Sequence, residues 1–531
     1  MRRWNGWGDT SVNEPLSAHA NHLFLDRIGK GVVQSDVGLE QTLKAIPESR
    51  LPAHSLLDCS AETRLRHSVA DSFSDWVAKR GGLIQRFPDG VAFPENSADV
   101  RELLDWAKNR QLIVIPWGGG TSVVGHLTTP YSDKPVLIIS LARLDQVIDI
   151  DPLSLIATIG AGAPGPQIEE QLKAKGYVLG HLPQSWEYST IGGWVVTRSS
   201  GQQSYRYGRI EQIFAGGKVE TPKGTWVIPT IPATGAGTDP REMLLGSEGR
   251  LGIVTEVKAR VQKAPSYEKF YGLFFPNWKQ GEAAIREMGQ ERLDVSLLRL
   301  SNENETISHL ALAGRPGEVK WLKRYLKLRG VDQGMCYGLF GLTGDKGRCQ
   351  QVKRQALAIA RKHGGINTGT LFGDAWQKKR FKGAYFRNEM WDAGYAIDTF
   401  ETALDWPKVE PYMRDVQNRA EKVFADMGEK ALVFAHLSHV YSQGSTVYTS
   451  CMFRLADTPE ETLARWKEFK QVVSEAIVEY GGTISHQHGV GLDHKPYLPA
   501  EKGGKEGIDG IKALLHSFDP DGMMNPGKLV D

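Results

Sequence analysis

A glycine-rich stretch directly after an apolar run is the feature that most constrains this chain. The run covers residues 112–116 and leads into Pro-Trp-Gly-Gly-Gly-Thr-Ser at 116–122. Three successive glycines have no Cβ atoms to keep backbone N–H groups away from an anion, and Thr121 and Ser122 add hydroxyl donors. The pattern favours a phosphate-binding loop after a buried strand, although a plain turn has the same local composition.

Two common nucleotide-binding motifs do not fit this stretch. Reading G-x-G-x-x-G from Gly118 places Val123 where the third glycine belongs, and no Asp or Glu lies about 20 residues further on. No Lys-Ser or Lys-Thr pair closes the loop, as a P-loop requires. The sequence therefore disfavours a nicotinamide Rossmann site and a P-loop.

Length and composition are those of an ordinary globular enzyme. A chain of 531 residues exceeds a single core, so two or three packed units are expected. Lys plus Arg number 64 and Asp plus Glu 62, and the net charge of +2 gives no general attraction to nucleic acid. The four cysteines are widely spaced and form no C-x-x-C pair, which favours a reducing compartment over disulfides or zinc.

The sequence shows no targeting or membrane-spanning segment. The N-terminus lacks an apolar signal core, no run approaches the roughly 18 apolar residues of a membrane span, and the C-terminus is not Ser-Lys-Leu. We therefore expect a cytoplasmic protein whose contact with a membrane is peripheral. A homodimer is compatible with the sequence, which leaves the oligomeric state open.

Hydrophobic patterns divide the chain into four parts. Residues 1–80 are predicted to form an N-terminal arm and helical segment, in which two tryptophans need a partner surface. Residues 81–265 are predicted to form the ligand-binding domain, and residues 266–480 a cap domain with longer helices. Residues 481–531 are expected to return to the first domain and complete the active site.

The ligand-binding part has an α+β pattern. Ser97 is predicted to cap a helix, followed by apolar residues at helical spacing: Val100, Leu103, Leu104 and Ala107. Strands then recur between about 135 and 265, with one helix near 166–175. This pattern predicts a mixed sheet rather than the regular β-α-β order of a doubly wound fold.

Two more glycine- and hydroxyl-rich segments follow the first loop. One covers residues 189–193 and continues at 197–201, and the other covers residues 246–252. Three such loops in one domain imply one long, polyanionic and partly aromatic ligand rather than three unrelated turns. A dinucleotide has these properties.

Taken together, these segments resemble the flavin-binding domain of the vanillyl-alcohol oxidase (PCMH) type. The whole chain is similar to the alkyldihydroxyacetonephosphate synthase branch of the FAD-linked oxidases. The motifs that carry the resemblance are RWNGWG (3–8), PWGGGTS (116–122), QSWEYST (184–190), GGWVVTRSSG (192–201), YGRIE (207–211), GSEGRLGIV (246–254) and HQHGVG (486–491). The resemblance implies an α+β fold with a two-subdomain FAD-binding domain, an α+β cap domain and a C-terminal return segment.

The resemblance also implies FAD as the cofactor, with its pyrophosphate on the first glycine loop. The implied cofactor-binding residues are Pro116, Trp117, Gly118, Gly119, Gly120, Thr121 and Ser122; Gln184, Ser185, Trp186, Glu187, Tyr188, Ser189 and Thr190; Thr197, Arg198, Ser199 and Ser200; and Glu248, Gly249, Arg250, Leu251, Gly252, Ile253 and Val254. A histidine carries a covalent flavin in some relatives, but His126 does not directly follow a glycine pair. Non-covalent FAD is therefore expected.

The chemical residues implied by the family lie in the cap and the tail. Tyr448 matches the catalytic tyrosine, and a phenol can pass a proton if a cationic neighbour lowers its pKa of about 10. Arg387 matches an arginine that binds substrate phosphate and Arg299 another active-site arginine, because the guanidinium fork binds phosphate bidentately. His486 and His488 would point the same way in an extended segment and are expected to act in acid–base chemistry or phosphate contact.

Without the resemblance, the same residues have ordinary structural explanations. Tyr448 can be a packed strand aromatic, Arg299 a surface arginine and His126 a polar loop residue. Four histidines could form a metal site: His436, His439, His486 and His488. Such a site is disfavoured because no carboxylate accompanies them. Metal-dependent relatives that oxidise 2-hydroxy acids also carry Gly-Asp-Gly-Asn where this chain has His-Leu-Ser-His (436–439).

The sequence departs from the synthase pattern at two positions. The family has three successive histidines where this chain has Gln487 in the middle, and a lysine where it has Leu492. The first difference removes an ionisable group from the tail segment. This difference weakens the argument that the chain catalyses the family's ether-lipid reaction. The expectation that it binds FAD is unaffected.

Three functions remain at this stage. The first is an alkylglycerone-phosphate synthase-like transferase, which exchanges the acyl group of acyl-dihydroxyacetone phosphate for a fatty alcohol; the resemblance implies a flavin N5 adduct. The second is an FAD-linked dehydrogenase or oxidase of a small 2-hydroxy acid or a phosphorylated polyol. The third is a flavoprotein that no longer catalyses, for which Gln487 is the only hint.

Overall fold

The computed structural model describes residues 1–13, 15–312 and 316–531. The strands are β1 (Leu57–Asp58), β2 (Gly90–Ala92), β3 (Ile113–Trp117), β4 (Val136–Ser140), β5 (Val147–Asp151), β6 (Ile156–Gly160), β7 (Tyr177–Val178), β8 (Phe214–Thr221), β9 (Gly224–Ile228), β10 (Ile253–Arg260), β11 (Gln262–Lys263), β12 (Tyr267–Phe275), β13 (Leu297–Ser301), β14 (Cys336–Gly344), β15 (Ile366–Asn367), β16 (Tyr395–Asp405), β17 (Ala431–Leu437) and β18 (Gly444–Arg454). The helices are α1 (Ala18–Arg27), α2 (Leu39–Lys44), α3 (Ala61–Arg66), α4 (Phe73–Gly81), α5 (Ser97–Asn109), α6 (Gly165–Lys173), α7 (Ile191–Thr197), α8 (Ser204–Tyr207), α9 (Ile210–Ile213), α10 (Pro240–Leu244), α11 (Trp278–Gln290), α12 (Glu303–Leu312), α13 (Pro316–Leu328), α14 (Lys346–Lys362), α15 (Leu371–Lys379), α16 (Gly383–Asp392), α17 (Trp406–Asp426), α18 (Pro459–Glu479), α19 (Leu498–Glu501) and α20 (Lys505–Phe518).

The N-terminal half contains two packed sheets. One has the strand order β1-β2-β4-β3, in which β4 runs parallel to β2 and β3 while β1 is antiparallel. The other is antiparallel, with the order β5-β6-β10-β8-β9. Helix α5 packs against both, and its predicted apolar face, which consists of Val100, Leu103, Leu104 and Ala107, is completely buried. The predicted α+β class with a mixed sheet is confirmed.

Two local predictions in this half are wrong. The cap of α5 is Asn96, whose side chain accepts from the Asp99 N–H, while the Ser97 hydroxyl donates to Glu220. Asn is an equally good N-cap, so the sequence pattern could not separate two adjacent candidates. Helix α7 occupies residues predicted to be loop, and its Gly192 packs closely on Ala161.

The C-terminal half is built on an antiparallel sheet with the order β15-β12-β14-β13-β17-β18-β16. Helices α11, α14, α17 and α18 share a hydrophobic core with it. Along β18, Val447, Cys451 and Phe453 lie in that core, whereas Tyr448 and Met452 face a cavity. Because side chains alternate along a strand, one side of β18 contributes to the core and the other side lines the cavity.

The C-terminal tail returns to the first sheet. The Val114 N–H donates to the Met523 carbonyl and the Asn525 N–H donates to the Val114 carbonyl, both at 2.8 Å. The side-chain amide of Asn525 donates to the carbonyls of Glu248 (2.9 Å) and His126 (3.2 Å). The tail is therefore joined to the segments that carry the first and third glycine loops.

The N-terminal tryptophan Trp7 is buried between the two halves. Its ring packs edge-on against Tyr188 at a centroid distance of 5.6 Å, and its backbone exchanges hydrogen bonds with the Asn388 side chain. The partner surface expected from the sequence is thus supplied by both halves. No helix in the described ranges is long and apolar enough to cross a bilayer.

We expect Asn525→Ala to lower the free energy of unfolding by roughly 2 kcal/mol, because it leaves two buried carbonyl groups without a donor. The left-handed backbone at Asn525, with φ of 40°, also disfavours alanine. Urea titration followed by tryptophan fluorescence measures the change. Asn109→Ala, at the exposed end of α5, is the matched control, and equal stability of the two variants would contradict the assigned role of the tail.

Candidate active site

A cavity of roughly 630 Å³ lies between the two halves. Its volume falls within the range of about 300–1,000 Å³ that is typical of ligand sites. The predicted cofactor residues that line it are Pro116, Trp117, Gly118, Gly119, Gly120, Thr121, Ser122, Gln184, Ser185, Ser189, Thr190, Thr197, Ser199, Ser200, Glu248, Gly249, Gly252 and Val254. The three glycine-rich segments thus converge on one space, as one long ligand requires.

Other predicted cofactor residues frame the cavity without lining it: Trp186, Glu187, Tyr188, Arg198, Arg250, Leu251 and Ile253. Several of them join the loops to the rest of the protein. The Glu187 carboxylate accepts from the Tyr385 hydroxyl at 2.9 Å, and Arg250 donates to the Val530 carbonyl at 2.7 Å. Their side chains support the cofactor loops indirectly.

The first two glycine loops touch each other. A Cβ built on Gly119 would lie 1.9 Å from the Tyr188 carbonyl oxygen, and one on Gly118 would lie 2.4 Å from Thr190 Oγ1. The glycines are therefore required by the close approach of the second loop. This differs from the sequence argument, in which a Cβ would intrude on the phosphate itself.

The lining of the cavity fits the implied FAD. Thr190 Oγ1 is buried and has no hydrogen-bond partner among the described residues, so a ligand group can supply one. The side-chain space of Gly193 contains only that hydroxyl, at 3.4 Å. A phosphate-bearing cofactor provides acceptors for such donors.

His126 is engaged by protein groups on both ring nitrogens. Its Nδ1 lies 2.7 Å from Ser122 Oγ, and its Nε2 lies 2.9 Å from Glu248 Oε1. The ring is 4% exposed. These contacts favour a structural task for His126 over covalent attachment of a flavin.

Tyr448 lies at the centre of the cap side of the cavity. Its ring stacks on His436 at 5.1 Å and meets the edge of His488 at 5.8 Å. Its hydroxyl donates to Thr399 Oγ1 at 3.0 Å. Burial raises the pKa of Tyr448 well above its ordinary value, and the opposing effect of Arg299 does not offset it.

The cation nearest to this tyrosine, Arg299, is already paired. Its guanidinium donates to Glu305 Oε1 at 2.9 Å and lies 3.1 Å from His436 Nδ1. Burial alone would raise the pKa of Glu305, but the neighbouring His436 and Arg299 hold it well below the usual range. Burial lowers the pKa of His436 to about 4. Arg299 lines the cavity as part of this cluster rather than as a free cation.

Arg387 has no carboxylate partner among the described residues. It lines the cavity, donates to the Asp71 carbonyl at 2.8 Å and stacks over the Trp76 ring at 4.2 Å. Burial lowers the pKa of Arg387, but a guanidinium stays charged. It is therefore well placed to bind an anionic group in the cavity.

The predicted histidine pair is divided by the structure. His488 lines the cavity, whereas His486 lies behind it. His486 Nε2 is 2.6 Å from the Tyr441 hydroxyl and also contacts the Arg209 guanidinium, which donates to the His486 carbonyl at 2.8 Å. Residues 486–488 form bends instead of the extended segment assumed from the sequence.

A buried carboxylate, Glu401, organises this histidine segment. Its Oε1 accepts from the backbone N–H groups of Gln487 (2.6 Å) and His488 (3.1 Å). The two imidazole Nδ1 atoms of the pair lie 3.7 and 3.5 Å from its oxygens. Burial would raise the pKa of Glu401, but His488 and His486 hold it far below the ordinary value.

The sequence argument that no carboxylate accompanies these histidines is therefore wrong. Glu401 belongs to β16, directly opposite Tyr448 of β18, and neither it nor Glu305 stands in a motif that marks it. His439 lines the cavity, with its ring 4.8 Å from that of His486. Within the described ranges, no group of three or more His, Cys, Asp or Glu side chains is arranged to hold a metal.

Part of the cavity lining is apolar. Its residues are Leu297, Leu312, Phe386, Ile397, Phe434 and Met452. We call this part the apolar arm. All of them except Leu297 belong to or pack against one small core, so the cavity joins polar groups to a continuous surface suited to hydrocarbon.

The comparisons with known proteins agree with this geometry. Models of the FAD linked oxidases (C-terminal domain) and of an FAD binding domain match residues 264–529 and 88–228. An alkyldihydroxyacetonephosphate synthase of Dictyostelium discoideum is 30% identical, over 88% of this chain and 77% of the relative. A solved alkyldihydroxyacetonephosphate synthase has a TM-score of 0.86 at 26% identity, with 99% of both chains covered.

A solved p-cresol methylhydroxylase shares the fold, at 13% identity with a TM-score of 0.67 over 90% of this chain and 94% of the other. The predicted fold and the predicted FAD cofactor are confirmed by these matches. The chain belongs to the FAD-linked oxidases, in the alkyldihydroxyacetonephosphate synthase branch that its motifs indicate.

Proposed function

We propose that this protein is an alkylglycerone-phosphate synthase, which exchanges the acyl group of acyl-dihydroxyacetone phosphate for a fatty alcohol. The observation that carries the proposal is the composition of one cavity. Glycine loops line one side, Tyr448, His488 and Arg387 line another, and the apolar arm extends from this centre. Arg387 matches the phosphate of the substrates, Tyr448 and His488 match the reacting carbon, and the apolar arm matches the alkyl chain.

The FAD would be held by the glycine loops, with the first and second loops fixed against each other at Gly119 and Tyr188. When bound, it supplies an electron-accepting ring beside the substrate carbon. The contacts of His126 with Ser122 and Glu248 support non-covalent binding.

Tyr448 and His488 would move the proton at the reacting carbon. Because burial raises the pKa of Tyr448, its hydroxyl is protonated at neutral pH and can donate. The edge of the His488 ring faces it, and Glu401 fixes the backbone that carries this histidine. His486 supports the site from behind through Tyr441.

Arg387 would bind the substrate phosphate. Its lack of a carboxylate partner leaves its charge available, and the Asp71 carbonyl and Trp76 ring restrict its position. Arg299, in contrast, is balanced by Glu305 and would orient His436 beneath the tyrosine ring. The two arginines are assigned different roles because Arg299 has a carboxylate partner and Arg387 has none in the described part of the chain.

The apolar arm favours this reaction over the alternative oxidation of a small hydroxy acid. A substrate of a few polar atoms would leave most of that lining without a ligand, and apolar surface left in water lowers affinity. An alkyl substrate also agrees with the expectation of peripheral membrane contact. We further propose a cytoplasmic location and a homodimeric assembly.

We predict that the isolated protein is yellow and releases unmodified FAD on acid precipitation. Gly119→Val should lose most of its bound FAD, because the new side chain would separate the first two loops. The flavin content is measured by absorbance and by the fluorescence of the supernatant. Gly235→Val, at an exposed position with no atom near its side-chain space and no left-handed backbone, is the control for a glycine exchange. Flavin retained in the pellet would contradict non-covalent binding.

We predict that Tyr448→Phe lowers turnover by roughly 100- to 10,000-fold, which is the usual contribution of a positioned proton carrier. FAD content and folding should be retained because the ring volume is unchanged. Formation of the alkyl product from acyl-dihydroxyacetone phosphate and a fatty alcohol is the assay. Tyr412→Phe removes another buried hydroxyl, in the core outside the cavity, and should leave turnover unchanged. Near-normal turnover in Tyr448→Phe would exclude it as the proton carrier.

We predict that Glu401→Gln lowers turnover and moves the acidic limb of the pH–rate profile to lower pH. The amide retains an acceptor for the Gln487 and His488 N–H groups, but it no longer raises the pKa of His486 as the carboxylate does. The profile of kcat against pH distinguishes this effect from a loss of structure. Glu282→Gln, at a buried carboxylate on α11, is the control. An unshifted profile would limit Glu401 to a structural role.

A further inference from the structure

A second arginine lines the cavity on the helical face that also carries Arg387. The residues of α15, α16 and the turn between them that line the cavity at helical spacing are Trp376, Lys379, Arg380, Gly383, Ala384 and Arg387. Arg380 and Lys382, in that turn, have right-handed helical backbones. The seven positions from Arg380 to Arg387 therefore span roughly 10 Å. One wall of the cavity thus presents two guanidinium groups at separate positions.

The Arg380 guanidinium lacks a partner. Its Nη1 is buried and has no hydrogen-bond partner among the described residues. Burial lowers the pKa of Arg380, while Glu268 and Glu169 oppose this effect through their charge alone. A guanidinium stays charged in such a place. Because a buried charge without a partner is strongly unfavourable, this position indicates an anionic ligand.

Aromatic rings and a backbone contact hold Arg380 in place. Its guanidinium lies 5.0 Å from the centre of the Phe381 ring and 5.8 Å from that of Trp376. Its carbonyl accepts from the Gln202 side chain at 3.1 Å. Phe381 in turn stacks on Trp186 of the second loop, at 4.8 Å. The cap and the FAD-binding half therefore fix this arginine together.

An apolar surface leads from Arg380 to the apolar arm. Trp376 lines the cavity and packs against a small core that contains Leu297. Leu297 is the arm residue that lies outside the core shared by the other five. A hydrocarbon chain with its head group at Arg380 can therefore extend along Trp376 and Leu297 into the arm.

We propose that Arg380 binds the carboxylate of a long-chain fatty acid, with Lys379 beside it. The guanidinium fork matches a carboxylate or a phosphate. The apolar surface beside Arg380 selects an anion that carries a hydrocarbon chain. The proposal deepens the proposed function and rests on it for the source of this ligand.

The acyl exchange supplies such a carboxylate. The bond between the glycerone carbon and the acyl oxygen breaks, and its electron pair leaves with that oxygen, so that the fatty acid departs as a carboxylate. The oxygen of the fatty alcohol takes the vacated position on the carbon, and its proton is released. Arg380 would hold the departing carboxylate while Arg387 holds the phosphate.

The test measures ligand binding to the FAD-containing protein by calorimetry, without turnover. Decanoate is the carboxylate probe, decanol has the same chain without the charge, and glycerol 3-phosphate has a phosphate without the chain. Arg380→Met should weaken decanoate binding roughly 10- to 100-fold, which is the usual contribution of hydrogen bonds to a charged group. Binding of the other two ligands should be unchanged. Arg380→Lys keeps the charge but lacks the fork, so its loss should be smaller.

The same two helices offer matched controls. Arg387→Met should show the reverse pattern, with weaker binding of glycerol 3-phosphate and unchanged binding of decanoate. Lys378→Met removes an exposed charge of α15 that does not line the cavity, and it should bind all three ligands like the wild type. Flavin content and melting temperature verify that every variant is folded.

Wild-type affinity of Arg380→Met for decanoate would overturn the proposal, as would a wild-type protein that does not bind decanoate. Weaker binding of glycerol 3-phosphate by Arg380→Met would identify a phosphate site instead, and loss of flavin would identify a cofactor contact. Either result also overturns the proposal. Formation of the alkyl product is assayed separately, so decanoate binding that depends on Arg380 supports the carboxylate site even if the synthase reaction is absent.

Discussion

The hydrogen bonds of Glu248 connect the cofactor loops to the chemical residues of the tail. Its backbone is left-handed, with φ of 53°, and its carboxylate accepts from the N–H groups of Val490 and Gly491. Such a backbone is sparsely populated by residues other than glycine, so tertiary contacts must stabilise it. Since His488 lies just before this segment, the third glycine loop both lines the cavity and fixes the turn that delivers the histidine.

Buried carboxylates on two sides of Tyr448 shape the electrostatics of the site. Glu305 contacts Arg299 and His436, and Glu401 holds the segment that carries His488. A buried charge without partners is strongly unfavourable, so each carboxylate depends on the basic groups around it. The tyrosine therefore lies between two compensated clusters, whereas Arg387, which also lines the cavity, has no carboxylate partner within the described ranges.

Much of the architecture was predictable from the sequence because it depends on local patterns. The apolar face of α5, the recurring strands after about residue 135 and the three converging loops each follow from spacing or composition. Glu305 and Glu401 were not predictable, because an isolated acidic residue becomes part of a site only through the register of distant strands. Glu401 faces Tyr448 across a strand pair whose members lie 47 positions apart in the chain. For Arg299, the family resemblance implied a place in the active site but could not identify Glu305 as its partner.

The alternation of side chains along β18 separates the apolar arm from the main core of the cap. Met452 lines the arm and packs in a small core with Phe24 and Met390, whereas its neighbours Cys451 and Phe453 belong to the main core of the cap. Methionine is unbranched and adopts many conformations, so it can adjust to chains of different bulk. A lineage can therefore alter the length of hydrocarbon that the arm admits by exchanging residues on one side of a single strand, while the main core of the cap on the other side of that strand stays as it is.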